Sequence, residues 1–508
     1  MARSLAEERF HVWLEALSGP DRLALSERYR ALSLWGGLGK LEADGQLRPI
    51  APALTAAVEP IARLEERSRR AHALLSAVVK AARYFLGGEG RPLADQVFQG
   101  LSPWERELCE TTWRAAEAVA IARVDLFTDS AGVDRPLEMN ATIPAMEGYS
   151  DVAAQALLRA VGEARGIERA AIDQLCRENG SNTDDLRRSL VAHYRRLGGA
   201  GDRPSVALVA RAGDPQSPEL AAIARGFAQA GLEALRCTPD QIGLDAQGRA
   251  TVVGRPMDLL YRHLFARRID PESALGRIVR EPERHRLLNP VNSQLEVKAL
   301  FAELSRAAAD PALARAMGLD EREFDAAARA PWSRRLVPGP ATGPGGEALD
   351  DLVAFAEAHP GDLVVKRSWG YGGTSVVIGD DLDSAEGQAR ARDVAGRSGG
   401  DPVLWAEVVR RCAGNGGFVV QARVELATER HLVAMEGGPR WIDWYVDVSA
   451  YTNLGVSEAP GGGVRRGSTG RVVNIVGGGG LVPMIAEPVM EKLLSRPPAG
   501  ATDGRGAG

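Results

Sequence analysis

The sequence predicts a protein of mixed α/β (α+β) class that is built from several domains. Three observations predict this class: helical periodicity through about the first 120 residues, a β-α-β pattern beginning near residue 204, and a last third rich in short strands. At roughly 100–200 residues per domain, a chain of 508 residues has room for two to four domains.

The N-terminal region, residues 1–120, carries apolar residues at three- and four-residue spacing, which predicts amphipathic helices. These helices are predicted over Leu5–Leu17, Ala62–Leu86 and Trp104–Ala122. The pattern changes at residue 123, where two strand-like runs, 123–127 and 136–140, flank a turn. This β-hairpin opens a second segment, residues 121–200, which continues with a helix predicted over Asp151–Ala164.

Residues 204–270 predict a Rossmann-like domain with a parallel sheet. A buried strand at Val206–Ala210 is followed by a helix at Pro218–Ala230 and a second strand at Glu233–Cys237. Residues 285–490 end in a β-rich part, with strands predicted at Leu363–Lys366, Ser375–Ile378, Phe418–Val424, His431–Met435 and Arg471–Val476. The tail 497–508 is rich in Pro, Gly and Ala and is predicted to be disordered.

Composition excludes several classes of function. A formal net charge of −5 and a pI near 6.0 give no reason to expect nucleic acid or an anionic membrane as a partner. No apolar run approaches the ~20 residues that span a bilayer, and Met1–Leu17 is charged and helical rather than a signal peptide. The four cysteines lack CxxC or zinc spacing, which favours a reduced, cytoplasmic setting. The seven histidines show no zinc spacing, and no GxSxG nominates a nucleophile.

Lysine is scarce: five of the 62 basic residues are lysines and the other 57 are arginines. Arginine serves wherever a charge needs only to be solvated, but it is a poor substitute for a compact ammonium that approaches a phosphate. Each remaining lysine is therefore a candidate functional residue, although a random remnant explains any one of them equally well. The five are Lys40, Lys80, Lys298, Lys366 and Lys492.

The segment Leu363–Ile378 is the strongest candidate for chemistry. A predicted strand ends at Lys366, a short loop carries Gly370, Gly372 and Gly373, and a second strand follows. Glycines let a loop present backbone N–H groups to an anion, and a lysine adds a point charge. This arrangement suits a nucleoside triphosphate, whereas the missing GxxxxGK[ST] and the missing helix exclude P-loop and Rossmann nucleotide sites. An ordinary glycine hairpin is the alternative.

The predicted hairpin carries Arg123 and Asp125 on one strand and Glu138 and Asn140 on the other. Residues 138 and 140 are two apart on a strand, so both side chains face the same way. A carboxylate beside a carboxamide oxygen makes a hard-oxygen site suited to magnesium that bridges phosphates. The alternative is a polar strand face with one Arg–Asp pair.

Two further segments carry charge that suits an anionic ligand. Lys298 is predicted on or just before a helix, where an exposed helical lysine is the alternative. Gly461–Asn474 holds Arg465 and Arg466 between flexible glycines, which suits a mobile lid over an anionic substrate. A surface loop is the alternative for that segment.

The order of these segments resembles that of the ATP-grasp ligases in their circularly permuted form, the form of glutathionylspermidine synthase and eukaryotic-type glutathione synthetase. The resemblance runs from about residue 120 to about residue 485. Its motifs are R-x-D and E-x-N in the hairpin, Y-R-x-L at Tyr261–Leu264, Lys298, the glycine loop after Lys366, V-V-Q ending at Gln421, and a late glycine-rich loop. Their occurrence in the family's order carries the resemblance.

The resemblance implies a set of residues around ATP and Mg²⁺. Lys298 and Lys366 would contact the ATP phosphates, and Arg123 would contact the substrate carboxylate or the transferred phosphoryl group. The metal ligands would be Glu138 and Asn140, completed by Asp125, another acidic residue or water. The other implied residues are the flap glycines Gly372 and Gly373, the adenine border Gln421, Ala422, Arg423 and Val424, and Arg465 or Arg466 over the acyl intermediate.

One position departs from the family's pattern. Family members usually place Asp or Glu four residues after the lysine of the glycine loop, as a metal ligand, and this chain has Gly370 there. Glycine has no side chain with which to bind a metal. The departure therefore bears on metal binding and turnover more than on the fold.

The resemblance implies a ligase that joins a small-molecule carboxylate to an amine. The carboxylate would attack the γ-phosphorus of ATP, and the amine would then displace phosphate from the acyl phosphate to form an amide. Two alternatives stay open: a nucleotide-binding protein that has lost ligase turnover, and a scaffold or small-ligand binding module that uses no ATP. Because relatives are often dimers, the resemblance is also compatible with a homodimer.

Overall fold

The helices and strands are those of a computed structural model, which describes residues 4–118, 121–370, 373, 375–453, 463–473, 475 and 479–496. The α-helices are α1 (Leu5–Ala16), α2 (Gly19–Gly36), α3 (Ile61–Gly87), α4 (Ala94–Val97), α5 (Pro103–Ala118), α6 (Glu147–Ala164), α7 (Arg169–Glu178), α8 (Asn182–Arg196), α9 (Ser217–Gln229), α10 (Ala274–Arg280), α11 (Ser293–Glu296), α12 (Lys298–Ala309), α13 (Pro311–Met317), α14 (Glu321–Ala328), α15 (Leu352–Ala358), α16 (Ala385–Ala395), α17 (Trp405–Asn415) and α18 (Glu487–Ser495).

The β-strands are β1 (Gly39–Leu41), β2 (Leu47–Pro49), β3 (Ala57–Glu59), β4 (Ile121–Thr128), β5 (Asp134–Asn140), β6 (Val206–Ala210), β7 (Ala234–Cys237), β8 (Ile242–Leu244), β9 (Ala250–Val252), β10 (Arg255–Pro256), β11 (Leu259–His263), β12 (Leu287–Leu288), β13 (Ser333–Arg335), β14 (Ala341–Thr342), β15 (Ala348–Leu349), β16 (Leu363–Arg367), β17 (Val376–Ile378), β18 (Phe418–Ala422), β19 (Glu429–Met435), β20 (Gly438–Val446), β21 (Val448–Asn453), β22 (Gly463–Ser468), β23 (Gly480–Val482) and β24 (Met484–Ala486).

The predicted hairpin forms as β4 and β5, and it belongs to a seven-stranded antiparallel sheet. Its strand order is β19-β20-β22-β21-β4-β5, with β23 paired to β22. Helix α3 packs against this sheet, because Leu74, Val78 and Phe85 recur at helical spacing and are all buried. We call this sheet and the helices on it the large lobe. Strands β4 and β5 therefore build one sheet with strands β19–β23, although the two groups are far apart in the chain.

The segment that holds Lys366 lies in a second, four-stranded antiparallel sheet of order β13-β18-β16-β17. Leu363 and Val365 point into a core shared with α15, α16 and α17. Because side chains alternate along a strand, Val364 and Lys366 occupy the opposite face of β16. We call this sheet and those three helices the small lobe.

The predicted β-α-β unit is present as β6, α9 and β7. These strands belong to a four-stranded parallel sheet of order β12-β11-β6-β7. Residues 206–210 are all buried, as a strand covered on both faces requires. The sheet extends beyond residue 270, because β12 adds Leu287–Leu288 to its edge.

The two ends of the described chain pack against each other. Helix α1 contacts α18, and β3 pairs in parallel with β24. The region predicted as helical through residue 120 thus also contains the short strands β1, β2 and β3. The predicted disordered tail, residues 497–508, lies outside the described residues. Among the helices that the structure describes, none combines the length and the apolar character needed to cross a membrane.

One predicted strand is wrong. Of the range Arg471–Val476, residues 471–473 and 475 are described and none is in a strand. Val472, Val473 and Ile475 instead line a cleft between the lobes. Their apolar character therefore reflects a cavity wall and not a sheet.

Candidate functional site

A cleft of about 750 Å³ lies between the large lobe, the small lobe and one end of the parallel sheet. The small lobe contributes Val364 and Lys366, and the large lobe contributes Asp125 and Glu138. The strand-to-helix loop after β6 lines the far end. Ligands of α/β proteins commonly bind outside the carboxyl ends of parallel strands, so this location fits a ligand site.

The two predicted phosphate lysines both act electrostatically on one carboxylate, that of Glu138. Lys298, the first residue of α12, has its Nζ 3.1 Å from Glu138 Oε2, and it also donates to the carbonyl of Gly370 at 3.1 Å. Lys366 Nζ donates to Gln421 Oε1 at 2.6 Å. Burial lowers the pKa of Lys366 to about 8, with Glu138 opposing that effect and the nearby Lys298 charge adding to it. The structure thus brings the two lysines together, while their phosphate role stays a prediction.

Asp125 is the centre of a buried polar network. Its Oδ1 accepts from Arg123 Nε at 2.7 Å and Ser449 Oγ at 2.8 Å. Its Oδ2 accepts from Arg466 Nη2 at 2.9 Å, and from Arg123 Nη2 and Asn140 Nδ2 at 3.1 Å each. Burial alone would raise the pKa of Asp125, but the two arginines outweigh it and hold that pKa well below its ordinary value. A metal bound to Asp125 would have to displace these donors, and that predicted role stays untested.

Glu138 and Asn140 lie two residues apart on β5 and both line the cleft. Burial would raise the pKa of Glu138, but Lys298 reverses the effect and lowers it, so the carboxylate is charged. Asn140 donates its amide nitrogen to Asp125, which leaves its carboxamide oxygen free to act as a ligand. Among the residues that the structure describes, no group of three or more His, Cys, Asp or Glu side chains could hold a metal ion.

The predicted lid is corrected by the structure. Residues 463–468 form strand β22, which pairs with β20, β21 and β23 inside the large-lobe sheet. Gly461, Gly462 and Asn474 lie outside the described residues. A strand that pairs with three neighbours does not open and close over a ligand. The glycines in this strand are therefore not explained by the flexibility of a lid.

Arg465 and Arg466 lie on opposite faces of β22, because adjacent side chains on a strand alternate. Arg466 lines the cleft and pairs with Asp125 and Asp447. Arg465 pairs with Glu429 at 2.7 Å on the other face, away from the residues that line the cleft. Of the two alternatives, only Arg466 is placed to meet a ligand there.

The predicted adenine border also lines the cleft. Gln421, Ala422, Arg423 and Val424 run along it at the end of β18. Arg423 forms an ion pair with Asp380, within the small lobe. Gly373 lines the cleft too, whereas Gly372 lies outside the described residues. Contact of these residues with a nucleotide stays a prediction.

Arg123 makes more hydrogen bonds within the protein than its predicted role as a ligand contact would need. Its Nη1 donates to the carbonyls of Pro144 and Ala145, at 3.2 Å for Ala145, and its other nitrogens bind Asp125. Four of the five N–H groups of its guanidinium are therefore bound by protein acceptors at the cleft wall. Contact with a substrate carboxylate or phosphoryl group, as the resemblance implies, stays a prediction.

Sequence reasoning missed several cleft residues. Glu296, two residues before Lys298, lines the cleft and accepts the backbone N–H of Thr142. Its burial raises its pKa to about 7. At the far end, Asp214 and Gln216 follow β6 directly, and their position after a parallel strand was a signal that could have found them.

Comparisons with known proteins support the fold. The sequence matches no protein-family model and no curated protein. The structure is similar to that of a glutathione synthetase-like effector, GSS30, from Globodera pallida in its apoform, with a TM-score of 0.55 and 11% sequence identity. The similarity covers 92% of this chain and 98% of the effector. This chain therefore has a mixed α/β fold of the glutathione synthetase-like kind, and at this identity the likeness shows the fold alone.

Proposed function

We propose that the protein is an ATP-dependent carboxylate–amine ligase that forms an amide bond through an acyl-phosphate intermediate. One observation carries the proposal: Lys366 lines the cleft between the two lobes, and Lys298, from a separate part of the chain, pairs at 3.1 Å with Glu138, which lines the same cleft. A triphosphate would need compact positive charge, which Lys366 at the cleft and Lys298 beside Glu138 would supply. The glutathione synthetase-like fold supports the same proposal.

The chemistry explains why so much positive charge is gathered there. A carboxylate and a triphosphate repel each other, so the transfer step needs cations on the phosphoryl oxygens. Lys298 and Lys366 would supply them, and Arg466 faces the same cleft. The cleft would also keep water from the acyl phosphate, which hydrolyses when exposed.

The residues present fit magnesium that is shared with a nucleotide. Glu138 offers a charged carboxylate and Asn140 a carboxamide oxygen, both at the cleft. Mg²⁺ prefers hard oxygen ligands, often uses one or two protein ligands together with substrate phosphates, and keeps several waters. When bound, it would neutralise charge on the phosphates. Glu138 and Asn140 are the residues that would hold it.

Nucleotide binding is the first test. Calorimetry should show ATP binding that strengthens with Mg²⁺, and Lys366→Ala should weaken it by about tenfold or more, because hydrogen bonds to a charged group contribute about 1.5–3 kcal/mol. Lys492→Ala is a matched control, since Lys492 of α18 pairs with Glu178 of α7 and neither residue is among those that line the cleft. Unchanged ATP affinity in Lys366→Ala would count against the phosphate assignment.

Turnover is the second test. ADP release should require both a carboxylate and an amine in the mixture, and a screen of small carboxylates and amines would reveal the pair. ATP binding without ADP release under any pair would favour the alternative, a nucleotide-binding protein without ligase turnover. The observation behind that alternative is Gly370, which offers only its carbonyl, and that carbonyl accepts from Lys298.

Gly370→Asp tests the metal site directly. A Cβ added at Gly370 meets only Arg367 side-chain atoms at 3.9 Å, which is ordinary van der Waals distance, so the variant should fold normally. We expect the added carboxylate to raise Mg²⁺ affinity in the presence of ATP by about tenfold. Gly370→Asn is the control that adds similar bulk without charge. Unchanged Mg²⁺ affinity in Gly370→Asp would show that position 370 does not face the metal.

A further inference from the structure

We propose that Gln421 is a positioning residue for Lys366: its carboxamide holds the lysine ammonium at the wall of the cleft. What Lys366 binds rests on the proposed function, whereas the positioning rests on contacts within the protein. The resemblance to ATP-grasp ligases placed Gln421 at the adenine border instead. The side chain therefore has an assignment different from the one that the sequence implied.

Gln421 stands between a lysine and a serine on neighbouring strands. In the register of the small-lobe sheet, it lies opposite Ser333 of β13 and opposite Val364 of β16. Lys366 is two residues beyond Val364 and so shares the same face. Gln421 Oε1 accepts from Lys366 Nζ at 2.6 Å, and Gln421 Nε2 donates to Ser333 Oγ at 3.0 Å. The carboxamide thus links Ser333 to Lys366.

The orientation of the carboxamide is set by its second partner. Ser333 Oγ donates its own proton to the carbonyl of Pro331 at 3.0 Å, so towards Gln421 it acts as an acceptor. Gln421 is 4% exposed and Ser333 is 2% exposed, so water does not compete for these bonds. A flipped amide would turn its N–H groups towards the ammonium and leave buried donors without acceptors, which is costly. The oxygen is therefore kept on Lys366.

A neutral hydrogen-bond acceptor positions the Lys366 ammonium better than a carboxylate would. It fixes the flexible four-carbon stem of Lys366 without cancelling the charge of the ammonium. The charged groups that act on Lys366 are Glu138 and Lys298, with opposite effects. Gln421 uses one N–H of Lys366 Nζ, and two remain for a phosphate.

The test measures the pKa of Lys366 by NMR, which the small number of lysines makes practical. Because the chain has five lysines, a heteronuclear NMR spectrum of protein with isotope-labelled lysine side chains should show five resolvable signals, and Lys366→Arg assigns one. The titration of that signal is followed in three variants without nucleotide or metal. Gln421→Met removes the acceptor at similar length, Gln421→Glu keeps an acceptor and adds charge, and Ser333→Ala removes the bond that orients the carboxamide.

We expect the Lys366 pKa to fall in Gln421→Met and to rise in Gln421→Glu, by about one pH unit or more each way. Ser333→Ala should shift it in the same direction as Gln421→Met, by less. ATP affinity should fall about tenfold in Gln421→Met, in line with a lost hydrogen bond to a charged group. Gln388→Met is the matched control, because Gln388 bonds only backbone groups of Leu382 and Val403 in the same lobe.

Opposite shifts in the two Gln421 variants are a result that a purely structural side chain would not produce. The proposal is overturned if Lys366 titrates alike in wild type and Gln421→Met, or if both variants shift it the same way. Thermal unfolding checks each fold, and Ser333→Ala replaces Gln421→Met in this comparison if the latter does not fold. If the lysine signals behave as expected but the wild type does not bind ATP, the positioning stands and the proposed function fails.

Discussion

Lys366 gives the cleft a pH-dependent charge. Burial lowers its pKa from 10.5 to about 8, against the opposing effect of Glu138. The pKa of Lys366 in the folded protein thus lies below its pKa in the unfolded chain. Between about pH 8 and pH 10.5 the native protein has lost this proton, whereas the unfolded chain still holds it. The ammonium that a phosphate needs is complete below about pH 8 and is lost as the pH rises through that value.

ATP binding should follow this titration. Without added metal, affinity should fall by up to about tenfold per pH unit as the pH rises above about 8. Calorimetry in two buffers of different ionisation enthalpy would measure the proton that binding takes up in that range. Lys366→Arg stays charged and should lose the pH dependence. Wild-type affinity that stays flat from about pH 7 to about pH 9.5, with no proton uptake, would contradict this prediction.

Sequence reasoning reached some residues of the cleft and not others. The rarity of lysine drew attention to Lys298 and Lys366, and the fold brings both close to Glu138. Glu296 was not found, because a glutamate two residues before a lysine carries no signal until the fold places the Thr142 N–H against it. The type of a residue predicts a functional role by itself only where that type is rare in the chain.

Strand β22 shows how an element can be misjudged from its glycines. A Cβ at Gly467 would collide with the ring of Trp444, and a Cβ at Gly463 would collide with the carbonyl of Ser449. These glycines allow close approach of neighbouring chains, as glycine in a strand interior often does. Glycine-rich sequence is compatible with either a loop or a crowded strand, and only the neighbours decide between them. By contrast, β6 and β16 were predicted well, because buried apolar runs have few alternatives.

The two arginines of β22 make a matched pair of variants. Arg466→Ala leaves the buried carboxylates of Asp125 and Asp447 without the guanidinium that pairs with both, so we expect a loss of about 3 kcal/mol of unfolding free energy and weaker ATP binding. Arg465→Ala breaks a pair with Glu429, whose side chain is 39% exposed, so we expect a smaller loss of about 1 kcal/mol and unchanged ATP affinity. Urea denaturation and calorimetry measure both effects.

That comparison separates stability from ligand binding. Arg465 and Arg466 are neighbours on one strand, so a general weakening of the sheet would affect both variants alike. Equal losses of ATP affinity in Arg465→Ala and Arg466→Ala would show that the face of the strand does not matter. The proposed role of Arg466 in ATP binding would then be wrong.

At the scale of the whole molecule, the cleft depends on contacts between distant segments. The large-lobe sheet joins strands β4 and β5 to strands β19–β23, and the small lobe lies between these two groups in the chain. Local patterns predicted the hairpin β4–β5, but nothing local indicates that β21 pairs with β4, with Ser449 opposite Asp125. The buried network around Asp125 follows from this pairing. The pairing of strands that are distant in the chain is therefore the feature of the site that could not be predicted from the sequence.

Arg471 connects the two lobes beside the cleft. It follows β22 in the large lobe, where its side chain also bonds Tyr445 of β20. Its Nη1 lies 3.8 Å from Asp380 Oδ2 and 3.6 Å from Asp381 Oδ1, just after β17 of the small lobe. Arg471 and its neighbours Val472 and Val473 also line the cleft. Ion pairs at these distances add a small attraction between the lobes.

Removing that attraction should speed the release of a bound nucleotide. We expect Arg471→Ala to raise the ATP dissociation rate about two- to fivefold at low ionic strength, as a surface ion pair of up to about 1 kcal/mol allows. The difference should vanish near 1 M salt, because screening then removes the pair in the wild type as well. Arg390→Ala is the control: it breaks a pair with the same Asp381, at 3.1 Å, but entirely within the small lobe. Stopped-flow displacement of a fluorescent ATP analogue measures the rates. If Arg390→Ala and Arg471→Ala release nucleotide equally fast, the charge on Asp381 matters within its own lobe and the link between lobes does not.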